Sequence, residues 1–164
     1  DSAPLGRAFD LALVVGPPPD SAMGSLLIGR ARLGCYASAA YVAKAGAPSL
    51  PPDLQRHAIV AVGATPGAWT FTRGGRVSSV AVRPRLRVAS HDFALRAVAR
   101  SAGIARLPQF VVARSAHAGD LVRILPAWTI PEAPAYAVFP NRERPGVVVR
   151  AFLDLLKERL ARRR

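Results

Sequence analysis

Apolar and polar positions along this chain switch repeatedly between the two-residue period of a strand and the 3.6-residue period of a helix. Phe9 to Gly16 (FDLALVVG) is an apolar run cut off by Gly16 and three prolines. It predicts a strand buried on both faces, as in parallel sheets. Leu26 to Tyr36 alternates apolar with basic positions and predicts one second strand. Ser38 then caps a short helix over Ala39 to Ala45 that Gly46 stops. Ser49 to His57 is a proline-rich turn leading into a strand, Ala58 to Val62. Trp69 to Phe71 and Val77 to Val82 read as a hairpin about Gly74-Gly75, and Pro84 makes the next strand, Leu86 to Ala89, start afresh or lie at an edge.

Ser90 to Pro108 (SHDFALRAVARSAGIARLP) is the most complete local unit. Ser90 is a good N-cap and Asp92 puts negative charge in the first turn, where the helix dipole favours it. Phe93, Ala94, Ala97, Val98 and Ser101 recur at helical spacing, Gly103 suits the left-handed residue that closes a helix, and Ile104 to Leu107 enters a sheet. Further strands follow at Asp120 to Leu125 and Ala135 to Phe139. A terminal helix over Val147 to Arg164 lines up Val148, Val149, Phe152, Leu153, Leu156 and Leu160, with Arg150, Asp154, Lys157 and Arg159 outward. Alternating strands and helices predict an α/β fold with a mostly parallel sheet.

Composition narrows the class. With 164 residues, 51% of them hydrophobic, the chain can form one ordinary core or two small lobes and does not read as disordered. No apolar run approaches the roughly 18 residues that span a bilayer, and the start lacks a basic-then-apolar leader, so no membrane partner is expected and the cytoplasm is the expected compartment. The net charge is +13, and Lys44 and Lys157 are the only lysines. So arginine-rich a chain favours an anionic partner, nucleic acid or an acidic small molecule. The arginines are spread out and not interleaved with aromatics; only Arg159 and Arg162 to Arg164 cluster. Charge alone does not establish direct contact with nucleic acid.

Catalytic and metal chemistry find little support. Ser90-His91-Asp92 has triad residues, but adjacent side chains at a helix start diverge. His57, His91 and His117 lack the i, i+4 spacing of a helical metal pair, the glycine-rich Gly63 to Gly67 and Gly74-Gly75 lack the lysine of a phosphate loop, and Cys35 is the single cysteine. No catalytic residue, metal ligand or cofactor is predicted. His57 reads as a capping residue at a strand start.

Several motifs in chain order resemble the effector-binding domain of LysR-type transcriptional regulators. These are Phe9-Asp10-Leu11-Ala12 with Gly16; Arg32, Cys35, Ala37, Ser38, Ala40 and Tyr41; and Asp53, Leu54 and His57. Later come Gly103-Ile104 with Leu107-Pro108; Gly119, Leu121, Leu125, Pro126 and Trp128; and Arg150 with Phe152 to Leu156. The chain departs from the family pattern at Val14 (usually arginine), Gly34 (apolar), Ala39 (proline) and Ser101 (the first glycine of a G-x-G-I run). The resemblance implies a two-lobed, type II periplasmic-binding-protein-like α/β fold. Residues 1–35 and 136–164 would form the first lobe and residues 36–135 the second, with a small effector bound between them. The family's winged helix-turn-helix, linker helix and first strand-helix-strand are absent from this sequence, so the first lobe is expected to be incomplete and DNA to be reached only through a module outside this chain.

The effector-facing positions expected on this basis are Val15, Gly16, Pro17, Ala37, Ser38, Gly63, Trp69, Ser90, His91 and Pro108. The cap at Ser90 and the arginine surplus favour an anionic effector. Homo-oligomers, dimers or tetramers, are expected. Two alternatives stay open: a solute-binding or enzyme-like protein of the same two-lobed fold, and a partner that only binds small molecules or oligomerises, without DNA-binding activity.

Overall fold

The computed structural model describes residues 9–17, 23–63, 67–140 and 145–161. The lead-in residues 1–8, prolines 18 and 19, the middle of the loop between Gly63 and Gly67, the Leu160 side chain and the Arg162–Arg164 cluster lie outside the described residues. The chain divides into two compact units, residues 1–31 with 133–164 and residues 32–132. The boundaries fall a few residues before those expected at 35/36 and 135/136, at the two points where the chain changes sheets.

The first unit holds β1 (Ala12–Val15), β2 (Gly24–Ala31), β10 (Ala133–Phe139) and helix α4 (Val147–Ala161). Its sheet has the order β1-β10-β2 and is antiparallel throughout, with Val14 opposite Tyr136 and Tyr136 opposite Leu27. The expected two-face burial of the first apolar run is therefore not found: β1 is an edge strand and Leu13 is 57% exposed. The apolar run reads the same whether neighbours cover one face or two, so pattern alone could not separate the cases. Helix α4 departs from its expected stripe in the same way. Leu153 is buried, but Val148 and Phe152 are exposed: the three strands among the described residues of this unit leave them uncovered.

The predicted single strand Leu26 to Tyr36 is two strands in two units. β2 ends at Ala31, and β3 (Leu33–Ser38) starts after Arg32 in another sheet. Alternation continues unbroken across Arg32, so the sequence gives no sign of the exchange.

The second unit contains β4 (Ile59–Val62), β5 (Trp69–Arg73), β6 (Arg76–Val80), β7 (Pro84–Val88), β8 (Ile104–Pro108) and β9 (Leu121–Ile124) beside β3. Helices α1 (Ala39–Ala45), α2 (His91–Ala99) and α3 (Gln109–Ala113) alternate with them. The five-stranded sheet runs β7-β4-β8-β3-β9. β4 pairs in parallel with β7 and β8, whereas β3 is antiparallel to both β8 and β9. A mostly parallel fold is thus corrected to a mixed one, because β3 enters this unit running against its neighbours. Pro84 opens an edge strand, where a missing N–H is tolerated.

The two faces of the sheet separate by residue parity. Val60, Ala105, Leu107 and Tyr36 form one cluster with Ala94, Leu95 and Val98 of α2. Ile59, Ile104, Arg106 and Cys35 alternate to the opposite face, where the β5-β6 hairpin lies with the buried Trp69 and Phe71. Gly74 and Gly75 take φ of 51° and 77°, the paired left-handed values of the predicted tight hairpin.

The α2-to-β8 junction differs in detail from expectation. The left-handed residue is Ser101, at φ 62°, and it occupies the place of the family pattern's first glycine. Gly103 (φ 143°) is needed for another reason: a Cβ there would overlap the Ala58 carbonyl, the same carbonyl that accepts from the Ile104 N–H at 2.8 Å. Gly34 also has a packing reason, since the Tyr36 ring lies where its side chain would go. Among the described residues no helix is long and apolar enough to cross a membrane.

Candidate functional site

Parallel strands bring their carboxyl ends, and the loops that follow, to one edge of a sheet, the usual place for ligands in α/β folds. Here those strands are β4, β7 and β8. Gly63 follows β4 with φ 78° and donates its N–H to the Val88 carbonyl at 3.0 Å, which ties the two loop starts together. Two residues after Val88, the Ser90 hydroxyl accepts from the Phe93 N–H at 3.3 Å and caps α2. His91 opens that helix and is partly buried. Pro108 ends β8 opposite Leu33, and the Gln109 N–H donates to the Arg32 carbonyl at 2.8 Å. Gly63, Ser90, His91 and Pro108 are therefore brought to one edge of the second unit.

The other predicted positions are placed differently. Leu33 stands opposite Pro108, so Ser38 lies five residues further along β3, roughly 17 Å away at strand spacing. Ala37 and Ser38 are thus at the opposite edge, paired with Val122 and Leu121. Both are buried, and Ser38 is engaged twice: its Oγ accepts from the Tyr41 N–H at 3.1 Å and shares a 2.8 Å hydrogen bond with Ser101 Oγ. Antiparallel pairing of β3 with β8 separates them, since a parallel strand would have carried Ser38 to the edge of Pro108. Trp69 is 3% exposed and packs inside the unit. Val15, Gly16 and Pro17 belong to the first unit, where Gly16 (φ 119°) donates to the Pro134 carbonyl at 2.8 Å.

The structure adds residues that pattern did not single out. Arg106, on β8, places its guanidinium carbon 5.2 Å from the centre of the Trp69 ring. Burial pulls its pKa below the usual arginine value, and burial followed by the charge of Arg106 lowers that of His91. A charged residue between Ile104 and Leu107, inside a five-residue buried strand, was the available signal. Beside the start of β3 is a cavity of about 350 Å³ lined by Arg32, Leu33, Gln109, Arg123, Thr129, Ile130 and Glu132. Arg32 faces Glu132 at 3.4 Å on its rim.

Other titratable groups have structural partners. The Tyr41 hydroxyl lies 3.2 Å from His57 Nδ1 and accepts from the Ala58 N–H at 3.0 Å, and His117 meets Asp120 at 3.6 Å. Cys35 is 1% exposed and burial pushes its thiol up to about 12, which keeps it protonated and unreactive. No group of three metal-ligating side chains occurs among the described residues.

Comparison with known proteins gives this geometry its context. Residues 4–161 match the family described as the LysR substrate binding domain. The transcriptional regulator PtxR of Pseudomonas aeruginosa is 35% identical over 96% of this chain and 51% of its own length. An HTH-type transcriptional regulator of Xanthomonas campestris is 32% identical over 95% and 47%. The chain thus spans about half the length of the curated relatives it matches. Among solved structures, the regulatory domain of CrgA, a LysR-type transcriptional regulator from Neisseria meningitidis, superposes with a TM-score of 0.73 at 26% identity, covering 94% of this chain and 76% of that one. The chain therefore belongs to the LysR family, as the substrate-binding, effector-sensing domain of a group of transcription regulators and not of enzymes.

Proposed function

We propose that the second unit binds a small-molecule effector at the carboxyl edge of β4, β7 and β8, and that this binding controls the DNA-binding or transcriptional activity of a full-length regulator. The gathering of Gly63, Ser90, His91 and Pro108 at that edge, in a domain of this family, is the observation that carries the reading. Gly63 holds its loop start against Val88, the His91 and Asp92 N–H groups open the first turn of α2 at that edge, and Pro108 turns the chain away without an N–H of its own. A ligand that prefers one arrangement of the regulator shifts the population toward it by its differential affinity. DNA is contacted through a winged helix-turn-helix outside this chain, in the cytoplasm.

A second element of the proposal is assembly into homo-oligomers. It is supported by the first unit, where Leu13, Leu27, Val147, Val148 and Leu155 are exposed together with Phe152. Effector screening by thermal melting tests the sensing role. A responding compound should lose its effect in Ser90→Ala while that variant keeps its cooperative transition. Loss of the fold in Ser90→Ala, or an unchanged response, removes Ser90 from the site. Stable mixed oligomers with full-length regulators, with no response to any compound, would favour a partner role instead.

A further inference from the structure

Arg106 is a partly buried cation that pairs with no carboxylate among the described residues. Its second unit contains four acidic residues, Asp53, Asp92, Asp120 and Glu132, and all four are engaged elsewhere. Asp53 accepts from the Ser49 and Leu50 N–H groups, Asp92 holds Arg96 at 2.9 Å, Asp120 faces His117 and Glu132 faces Arg32. The indole of Trp69 lies against the guanidinium, 5.2 Å from ring centre to carbon. Such stacking covers one flat face of the group and leaves its edge of N–H donors free. That edge is the part of arginine that grips a carboxylate with two parallel hydrogen bonds. The residue stands two positions before Pro108, at the edge where the loops gather, and its charge reaches His91 at the start of α2. Burying a cation carries a desolvation cost, which an anion bound at its free edge would offset.

We propose that Arg106, braced on Trp69, is the anchor for a carboxylate group of the effector, so that the site selects small carboxylic acids over their uncharged analogues. The inference rests on the effector-site reading above and adds its ligand class and its recognition residue. Gly63 and Ser90 shape the edge; Arg106 supplies the charge that a ligand must match.

The test uses the whole chain with propionate as probe, propionamide as its uncharged analogue and inorganic phosphate as a second anion, all at matched ionic strength. Propionate should raise the melting temperature and perturb tryptophan fluorescence, and propionamide should do neither. Arg106→Met should abolish the response to propionate and, in the absence of any anion, melt no lower than the parent. Arg106→Lys keeps the charge but not the planar fork, and should bind propionate at least tenfold more weakly. It also serves if the methionine variant fails to fold. An unaltered propionate response in either variant overturns the proposal, as does a parent protein that ignores propionate or responds to phosphate alone. A neutral compound that shifts parent and Arg106→Met equally would remove Arg106 yet leave the effector reading standing; absence of any response to a broad metabolite set would remove both.

Discussion

Leu95 and Leu155 are both leucines on amphipathic helices, one in each unit, and their surroundings differ sharply. Leu95 is 2% exposed, set in a cluster with Tyr36, Val60, Ala105 and Leu107, whereas Leu155 is 53% exposed. The contrast extends to the sheets. In the second unit, α2 covers one face of a five-stranded sheet and the β5-β6 hairpin lies on the other, so both parities of β4 and β8 are buried. In the first, the described residues supply three strands and one helix, which leave Leu13 and Leu27 exposed. Leu155 lies off the apolar stripe that runs through Leu153, but Val148 and Phe152 lie on that stripe and are exposed as well, so an apolar pattern yields a core only where enough neighbouring surface exists to close over it. The second unit has that surface; the first has apolar side chains left for another surface to cover.

The comparison breaks most severely at Gly103. Gly103→Ala drives a Cβ into the Ala58 backbone at a positive φ, and should cost about 3 kcal/mol or more, read as a fall in the denaturation midpoint. Next, Leu95→Ala should cost about 3 kcal/mol, while Leu155→Ala should change stability by less than about 0.5 kcal/mol. Equal losses from the two leucines would mean that α4 is covered in solution, as in an oligomer, and that the units differ less than their exposure indicates. Ser38→Ala removes both the cap of α1 and the Ser101 bond, and should cost about 1 to 2 kcal/mol by the same measurement. Breaking the exposed Asp92–Arg96 pair with Arg96→Ala should cost only about 0.3 kcal/mol, and less in high salt.

A pH measurement sharpens the picture at the candidate site. Burial, and then the charge of Arg106, depress the native pKa of His91 below 6.5, so the unfolded chain binds the proton more readily. The stability this group contributes is complete above 6.5 and is lost as pH falls through the lower native value. His91→Gln should flatten that part of the stability profile. An unchanged profile would place His91 in solvent and loosen the proposed edge. Asp53 adds a second acid-sensitive feature: the Leu50 and Ser49 N–H groups hold its carboxyl below the usual range, and its contribution goes as the pH falls through that depressed value.

Local elements were the most legible part of the sequence. Ser38 and Ser90 cap the helices expected of them, Gly74-Gly75 turns the expected hairpin, and Pro84 opens an edge strand. Each depends on a backbone preference carried by one or two residues, which a sequence displays directly. Helix α3 was missed because its five residues, QFVVA, are too few to show a period. At the candidate site, Gly63, Ser90, His91 and Pro108 were legible as loop starts after apolar runs. Arg106 was visible as a charge inside an apolar strand, but its contact with the Trp69 ring, 37 positions earlier in the chain, was not.

The sequence by itself determined the α/β alternation, the caps and turns and the family motifs. These follow from preferences that act over a few residues. Tertiary structure decided the rest: that β3 runs against β8 and carries Ser38 away from Pro108, that the alternation across Arg32 is shared between two sheets, and that Trp69 lies under Arg106. Strand direction, sheet exchange and stacking join residues tens of positions apart, and their energies depend on which surfaces meet. No local pattern encodes that meeting.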